Sequence, residues 1–129
     1  MPFTSKLKCD FVPLSDNIIL TAELAYRCDR SQQVFVVPQG FVSDGASIPR
    51  VLWPIIGQPF DFRWRKEAVL HDFFYRAEHK IVSRKLADQI FYDSLRDNGL
   101  RYTKAQSMYI GLRLFGWAAW SSSLKETTL

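Results

Sequence analysis

Over Leu20, Ala22, Leu24 and Tyr26, apolar side chains alternate with Thr21 and Glu23, which is the period-two pattern of a half-buried β-strand. The polar stretch Arg27 to Gln33 predicts a hairpin loop. Val34, Phe35, Val36 and Val37 predict the returning strand, which stops at Pro38 because proline has no N–H for a central ladder. A short extended piece, Phe41 to Ser43, follows Gln39-Gly40. From residue 61 the period changes. Ala68, His71 and Tyr75, with Trp64 before them, share one helical face, and Leu70, Phe73 and Phe74 carry apolar character around most of the circumference. Such a helix, starting at the N-cap candidate Asp61 and running to about Ala77, is expected to be buried.

Two further helices follow. The second begins after Ser83 and stops at Asn98-Gly99, with Leu86, Ile90, Phe91 and Leu95 facing inward. The third opens on Thr103 with Gln106 at capping-box spacing and carries Ala105, Met108, Tyr109, Leu112 and Phe115 on one face. Between the halves, residues 44–60 read as an irregular connector broken by Pro54, Gly57 and Pro59, with Ser47 as a cap candidate and Pro49 in the first turn of a short helix. The expected class is α+β. An N-terminal antiparallel hairpin or small sheet (residues about 1–43) precedes a helical part (61–121) whose first two helices form an antiparallel pair, all within a single domain spanning 1–129 and ending in a short tail.

Composition adds limits more than direction. The chain has 129 residues, 47% hydrophobic and 23% charged, which is enough for a core without metal or disulfide staples. The net charge of +4 comes from scattered basic residues with no like-charged run, so sequence-specific nucleic-acid binding is not expected. Anionic lipid or an acidic protein partner explains the excess equally well. Met1 to Lys8 has no apolar run behind basic residues. The charge-free tract Leu114 to Leu124 is about half of the roughly 20 residues a bilayer span needs. A soluble protein made in the cytoplasm is expected, with Cys9 and Cys28 as reduced thiols.

The two histidines, His71 and His79, narrow the chemistry. Ala68-Val69-Leu70-His71-Asp72 puts two ionisable groups inside the most apolar helix, and each needs a partner there. In an antiparallel pair turning near residues 79 and 80, His71 lies opposite Asp88, which shares the inner side of helix two with Phe91 and Leu95. A carboxylate on an imidazole fixes its tautomer and raises its basicity, preparing a general base for water. The same pair can equally be a structural clasp between helices. Asp72, rotated by about 100° from His71, points toward the connector, where a carboxylate beside loop carbonyls suits Ca²⁺. Asp44 and Arg50 are either turn residues or a lip over Asp72. A Ser47–His71–Asp88 triad lacks the glycine-flanked elbow such nucleophiles use, which leaves Ser47 as a cap. Zinc on His71, Asp72 and His79 fails because His79 lies at or past the helix end. Trp117 and Trp120 read as core or interface anchors, or as a membrane foot.

Asp44-Gly45-Ala46-Ser47-Ile48-Pro49-Arg50, Ala68-Val69-Leu70-His71-Asp72 with Tyr75, Ser83-Arg84-Lys85, Ala87-Asp88 with Phe91, Met108-Tyr109 and Arg113-Leu114-Phe115-Gly116, in that order, resemble a family of phage and prophage proteins of unknown function. The resemblance runs from about Leu20 to Gly116 and implies a phage or prophage origin, manufacture in a host bacterial cytoplasm, virion association, and other phage structural proteins as partners. Locally, His71-Asp72 with Tyr75, followed by Ala87-Asp88 and Phe91, is similar to the helix pair of phospholipase A2 domains, particularly the viral capsid type. That similarity implies His71 as the base for water, Asp88 as its orienting partner, Tyr75 as a hydrogen-bond donor behind them, and Asp72 as a Ca²⁺ ligand. Asp44 to Ala46, or Gly57, would stand in for the glycine-rich calcium loop, which is not recognisable before helix one, and the substrate would be membrane lipid or another ester.

Two functions therefore compete: a Ca²⁺-dependent lipid or ester hydrolase at the host envelope, and a non-enzymatic virion, tail or assembly component in which His71–Asp88 is a clasp. A cleft reaching the His71 ring favours the first, and complete burial favours the second.

Overall fold

A computed structural model describes residues 3–13, 17–43, 65–77, 80–118 and 120. The chain divides into two compact units, Met1–Asp44 and Gly45–Leu129. The first holds strands β1 (Cys9–Phe11), β2 (Ile18–Leu20), β3 (Leu24–Cys28), β4 (Gln33–Val37) and β5 (Val42–Ser43). The second holds helices α1 (Arg65–Arg76), α2 (Arg84–Asp97) and α3 (Tyr102–Phe115). Small antiparallel sheets followed by three helices make the protein α+β, as the two periodicities predict.

The expected hairpin is β3–β4, antiparallel in the register Leu24↔Val37, Tyr26↔Phe35 and Cys28↔Gln33. Leu24, Tyr26, Phe35 and Val37 are buried, so the pairs opposite one another fill one face. Gln32 closes the turn at φ 56°, a left-handed conformation uncommon outside glycine and asparagine. The continuous strand expected over Leu20 to Tyr26 is two strands. β2 ends at Leu20, whose N–H donates to the Phe41 carbonyl and whose carbonyl accepts from Gly40, and the chain then leaves for a different ladder. Alternation reports which face is buried, not which neighbour a strand pairs with, so it runs through the change of sheet unbroken. β2 is the middle strand of β1-β2-β5. The extended piece before the connector is therefore a paired strand, with Ile18 opposite Ser43.

In the helical unit, Ser83 caps α2, its Oγ accepting from the Leu86 N–H at 3.1 Å, and Gly99 at φ 90° follows the helix end. The third helix begins at Tyr102 rather than after Thr103. Its N-cap is Arg101, with no side-chain cap bond, and the Thr103 carbonyl accepts from Ser107 inside the helix. Ala105, Met108 and Leu112 pack with Ala68, Phe91 and Leu95 into one apolar cluster. Phe115, expected on that face, is 47% exposed: it shares the arc of residues 105, 108, 111 and 112 but is the last residue of the helix, beyond Leu112, the last α3 side chain in the cluster. Among the described residues, no helix is long and apolar enough to cross a membrane. Cys9 and Cys28 are free.

Candidate functional site

Helix α1 buries Glu67, His71, Asp72 and Tyr75 together with Ala68, Val69, Leu70 and Phe74. Glu67, His71 and Tyr75 recur every fourth residue and so form one polar line along an otherwise apolar helix. Opposite that line, α2 presents Asp88. His71 Nε2 lies 2.8 Å from Asp88 Oδ1, with both side chains fully buried. Tyr75 donates its hydroxyl to the same oxygen at 2.6 Å. Because a carboxylate only accepts, Nε2 carries the hydrogen, and the tautomer is set by Asp88. The facing of His71 and Asp88 expected from helix-pair arithmetic is thus present, with Tyr75 as the second donor.

The other carboxylate oxygen is held by two residues to which the sequence gave no role. Arg113, on α3, donates to Oδ2 at 2.9 Å, and Arg84, one turn before Asp88, stands 3.7 Å from it. Arg84 also donates to the carbonyls of Leu112 at 3.0 Å and Arg113 at 3.3 Å, tying the start of α2 to the end of α3. Arg84 was legible as an i,i+4 partner of Asp88. Arg113 was not, because its role depends on where α3 packs. Gly116 completes the arrangement by having no side chain: a Cβ there would lie 2.6 Å from the Leu112 carbonyl oxygen and 2.8 Å from the Tyr75 hydroxyl. Trp120 stands edge-on to the Tyr75 ring at 5.2 Å, and Lys80, which donates to the Tyr75 carbonyl, lies 4.4 Å from the Trp120 centroid.

The electrostatics follow from this census. Burial alone would push the Asp88 carboxyl up, but the hydrogen bond and charge of His71 and the bonds from Tyr75 and Arg113 outweigh it and hold Asp88 below the usual carboxylate value. Asp88 is therefore ionised at neutral pH. Tyr75 is driven the other way, first by burial and then by the charge and hydrogen bond of Asp88, and stays a neutral donor. The centre joins a carboxylate, an imidazole, a phenol and two guanidiniums from three helices. Chemically such a set can hold a proton at a defined atom, or hold helices together.

Asp72 is fully buried and forms an i,i+4 ion pair with Arg76, Nη1 to Oδ2 at 3.6 Å. A guanidinium at that carboxylate competes with a cation, and no group of three or more His, Cys, Asp or Glu side chains among the described residues could hold a metal ion. The described residues therefore do not fit the six to eight oxygen ligands of Ca²⁺. Asp44, Ser47, Arg50, Gly57, Asp61, Trp64 and His79 lie outside the described residues. Trp117 is exposed, while Trp120 is half-buried against Tyr75.

No solved structure matches the chain significantly. Two curated proteins of Sinorhizobium fredii, both described as uncharacterized, are similar to it. One, y4jT, is 40% identical over 80 residues, 62% of this chain and 23% of that protein. The other, y4iH, is 32% identical over 74 residues, 57% of this chain and 30% of that protein. The chain thus spans about a quarter to a third of the length of these relatives. A family model described as a protein of unknown function (DUF1353) matches residues 18–112, a span that contains His71, Tyr75, Arg84 and Asp88. On that match the chain belongs to the DUF1353 family.

Proposed function

We propose that the protein is a non-enzymatic component of a phage or prophage assembly, and that His71 and Asp88 form a clasp that fixes three helices. The observation that carries this reading is the complete burial of both side chains together with the saturation of Asp88 by His71, Tyr75, Arg84 and Arg113. An imidazole with no exposed surface activates no water, whereas a fully satisfied buried network fixes one arrangement of the helices. The phage origin rests on the motif resemblance. The outer side of α3 supports a docking role, since Ile110, Leu114 and Trp117 are exposed in line at helical spacing, as surfaces that meet other proteins often are. Other phage structural proteins are the partners this reading implies, with synthesis in the host cytoplasm and incorporation into the virion.

One observation favours a second reading, the phospholipase-A2-like hydrolase. Asp88 on His71 Nε2, with Tyr75 donating to the same carboxylate, matches the roles that the resemblance implies. Membrane lipid would then be the substrate, and any Ca²⁺ would depend on residues beyond those described. Purified protein and a His71→Asn variant, given phospholipid vesicles with and without Ca²⁺, separate the two. The clasp expects no fatty-acid release by either protein and a markedly lower melting temperature for the variant. Release by the wild type that is lost in a variant of unchanged stability overturns the clasp and establishes the hydrolase.

A further inference from the structure

The outward side of α3 carries a feature that the Asp88 clasp does not use. Ile110, Leu114 and Trp117 are 47%, 61% and 60% exposed, and with the exposed Thr103 and Ser107 they recur at alternating steps of four and three residues. At about 100° per residue, the three apolar positions fall within about 60° of the helix circumference, on the side away from Ala105, Met108 and Leu112, which face the core. A strip this narrow is the seam of a helix–helix contact, whereas a helix lying in a lipid interface presents a broader apolar arc. Ser107 returns its hydroxyl to the Thr103 carbonyl at 2.9 Å, so that donor is satisfied within the helix and does not interrupt the seam.

The charges beside the strip have one sign. Between Asp97 and Glu126 the sequence has no aspartate or glutamate, while Arg101 caps α3 and Lys104 and Arg113 lie within it. On a seam through positions 103, 107, 110, 114 and 117, Lys104 and Arg113 take the flanking places that select a partner by charge. Arg113 donates to Asp88 through Nη1, and its side chain is 31% exposed. Because Arg84 is drawn to the same carboxylate, the two guanidiniums outnumber the one acid between them. A second copy docked α3 to α3 would set cations against cations. We propose that this face receives an acidic amphipathic helix of a partner protein, whose apolar seam lies against Ile110, Leu114 and Trp117 and whose flanking carboxylates meet Lys104 and Arg113. This partner presupposes the docking role proposed above and gives it a chemistry.

Two synthetic helices with the same leucine seam, one flanked by glutamates and the other by lysines, are each titrated with the full chain and followed by the anisotropy of an attached dye. The acidic helix is expected to bind at least about 10-fold more tightly at low salt, an advantage that shrinks as salt screens it. Leu114→Ser and Trp117→Ser, at exposed positions outside the core, should each weaken that binding about 10-fold without lowering the melting temperature. Equal affinity for the two helices would leave a docking face but overturn its acidic partner. Failure of the acidic helix to bind, or binding that neither substitution weakens, would overturn the proposal and remove α3 as support for the docking role, while the His71→Asn test of the clasp stands independently. Retention on phosphatidylcholine vesicles containing phosphatidylglycerol, or a dimer in sedimentation, would also overturn it if Leu114→Ser abolished either, making the face a lipid or self-contact instead.

Discussion

Replacing Asp88 with Asn keeps the size and shape of the side chain but removes one of its two acceptor oxygens and the negative charge. Whichever way the amide turns, an NH2 group meets either the His71 and Tyr75 donors or the Arg113 and Arg84 guanidiniums. Removing one member of a buried charged set costs about 3–5 kcal/mol, because the remaining members keep their desolvation cost and lose their partner. At roughly 3–6 °C per kcal/mol for a domain of this size, the melting temperature should fall by roughly 10–25 °C. The assay is thermal unfolding followed by circular dichroism at pH 7, repeated downward through pH 3. The acid series supplies an internal check. The Asp88 carboxyl is held below its ordinary 3.8 in the folded protein, so its stabilisation is fully present above that value and is lost as the pH falls through the depressed one. The gap between wild type and Asp88→Asn should therefore be widest near neutrality and shrink only in strong acid. A variant within about 1 kcal/mol of wild type at pH 7, or a gap unchanged down to pH 2, would refute the claim that an ionised Asp88 organises the three helices.

Gly116→Ala should destabilise by about 1–3 kcal/mol, since its Cβ would intrude on the Tyr75 hydroxyl and the Leu112 carbonyl. If displacement of Tyr75 is the cause, combining it with Tyr75→Phe should cost clearly less than the sum of the two changes, as a double-mutant cycle in thermal unfolding would report. Ser83→Ala should cost about 1 kcal/mol in the same assay, through loss of the cap on the Leu86 N–H, while leaving the resonances of His71 and Tyr75 in place.

What could be read in advance was local. The 3.6-residue period of α1 and α2, the cap at Ser83 and the stop at Gly99 all act within a few residues, and equal distances from one turn placed His71 opposite Asp88. The strands were less legible because their partners are remote: nothing near Val42 says that it pairs with Ile19. The same limit hid half of the Asp88 centre. Arg113 is 25 positions away on a helix whose packing had to be known first, and Gly116 matters through a side chain it lacks. Glu67 escaped notice for the opposite reason. At one residue of a buried helix, a glutamate reads as an ordinary helix former with its charge in solvent, and only the burial of both its oxygens marks it out.

The dependence of Asp88 on Arg113 also orders events as the chain leaves the ribosome. Helices α1 and α2 emerge first and can pair at once, giving the carboxylate His71, Tyr75 and Arg84, but its contact with Arg113 at 2.9 Å waits for the last turn of α3. Until then Ala68, Phe91 and Leu95 lack the α3 half of their cluster, so the nascent hairpin carries an open apolar face and an incompletely neutralised acid together. Docking of α3 closes both gaps together, Ala105, Met108 and Leu112 covering the apolar face and Arg113 reaching the carboxylate. A chain cut before residue 113 should therefore expose a hairpin that chaperones recognise, whereas the 129-residue chain should hold a finished unit.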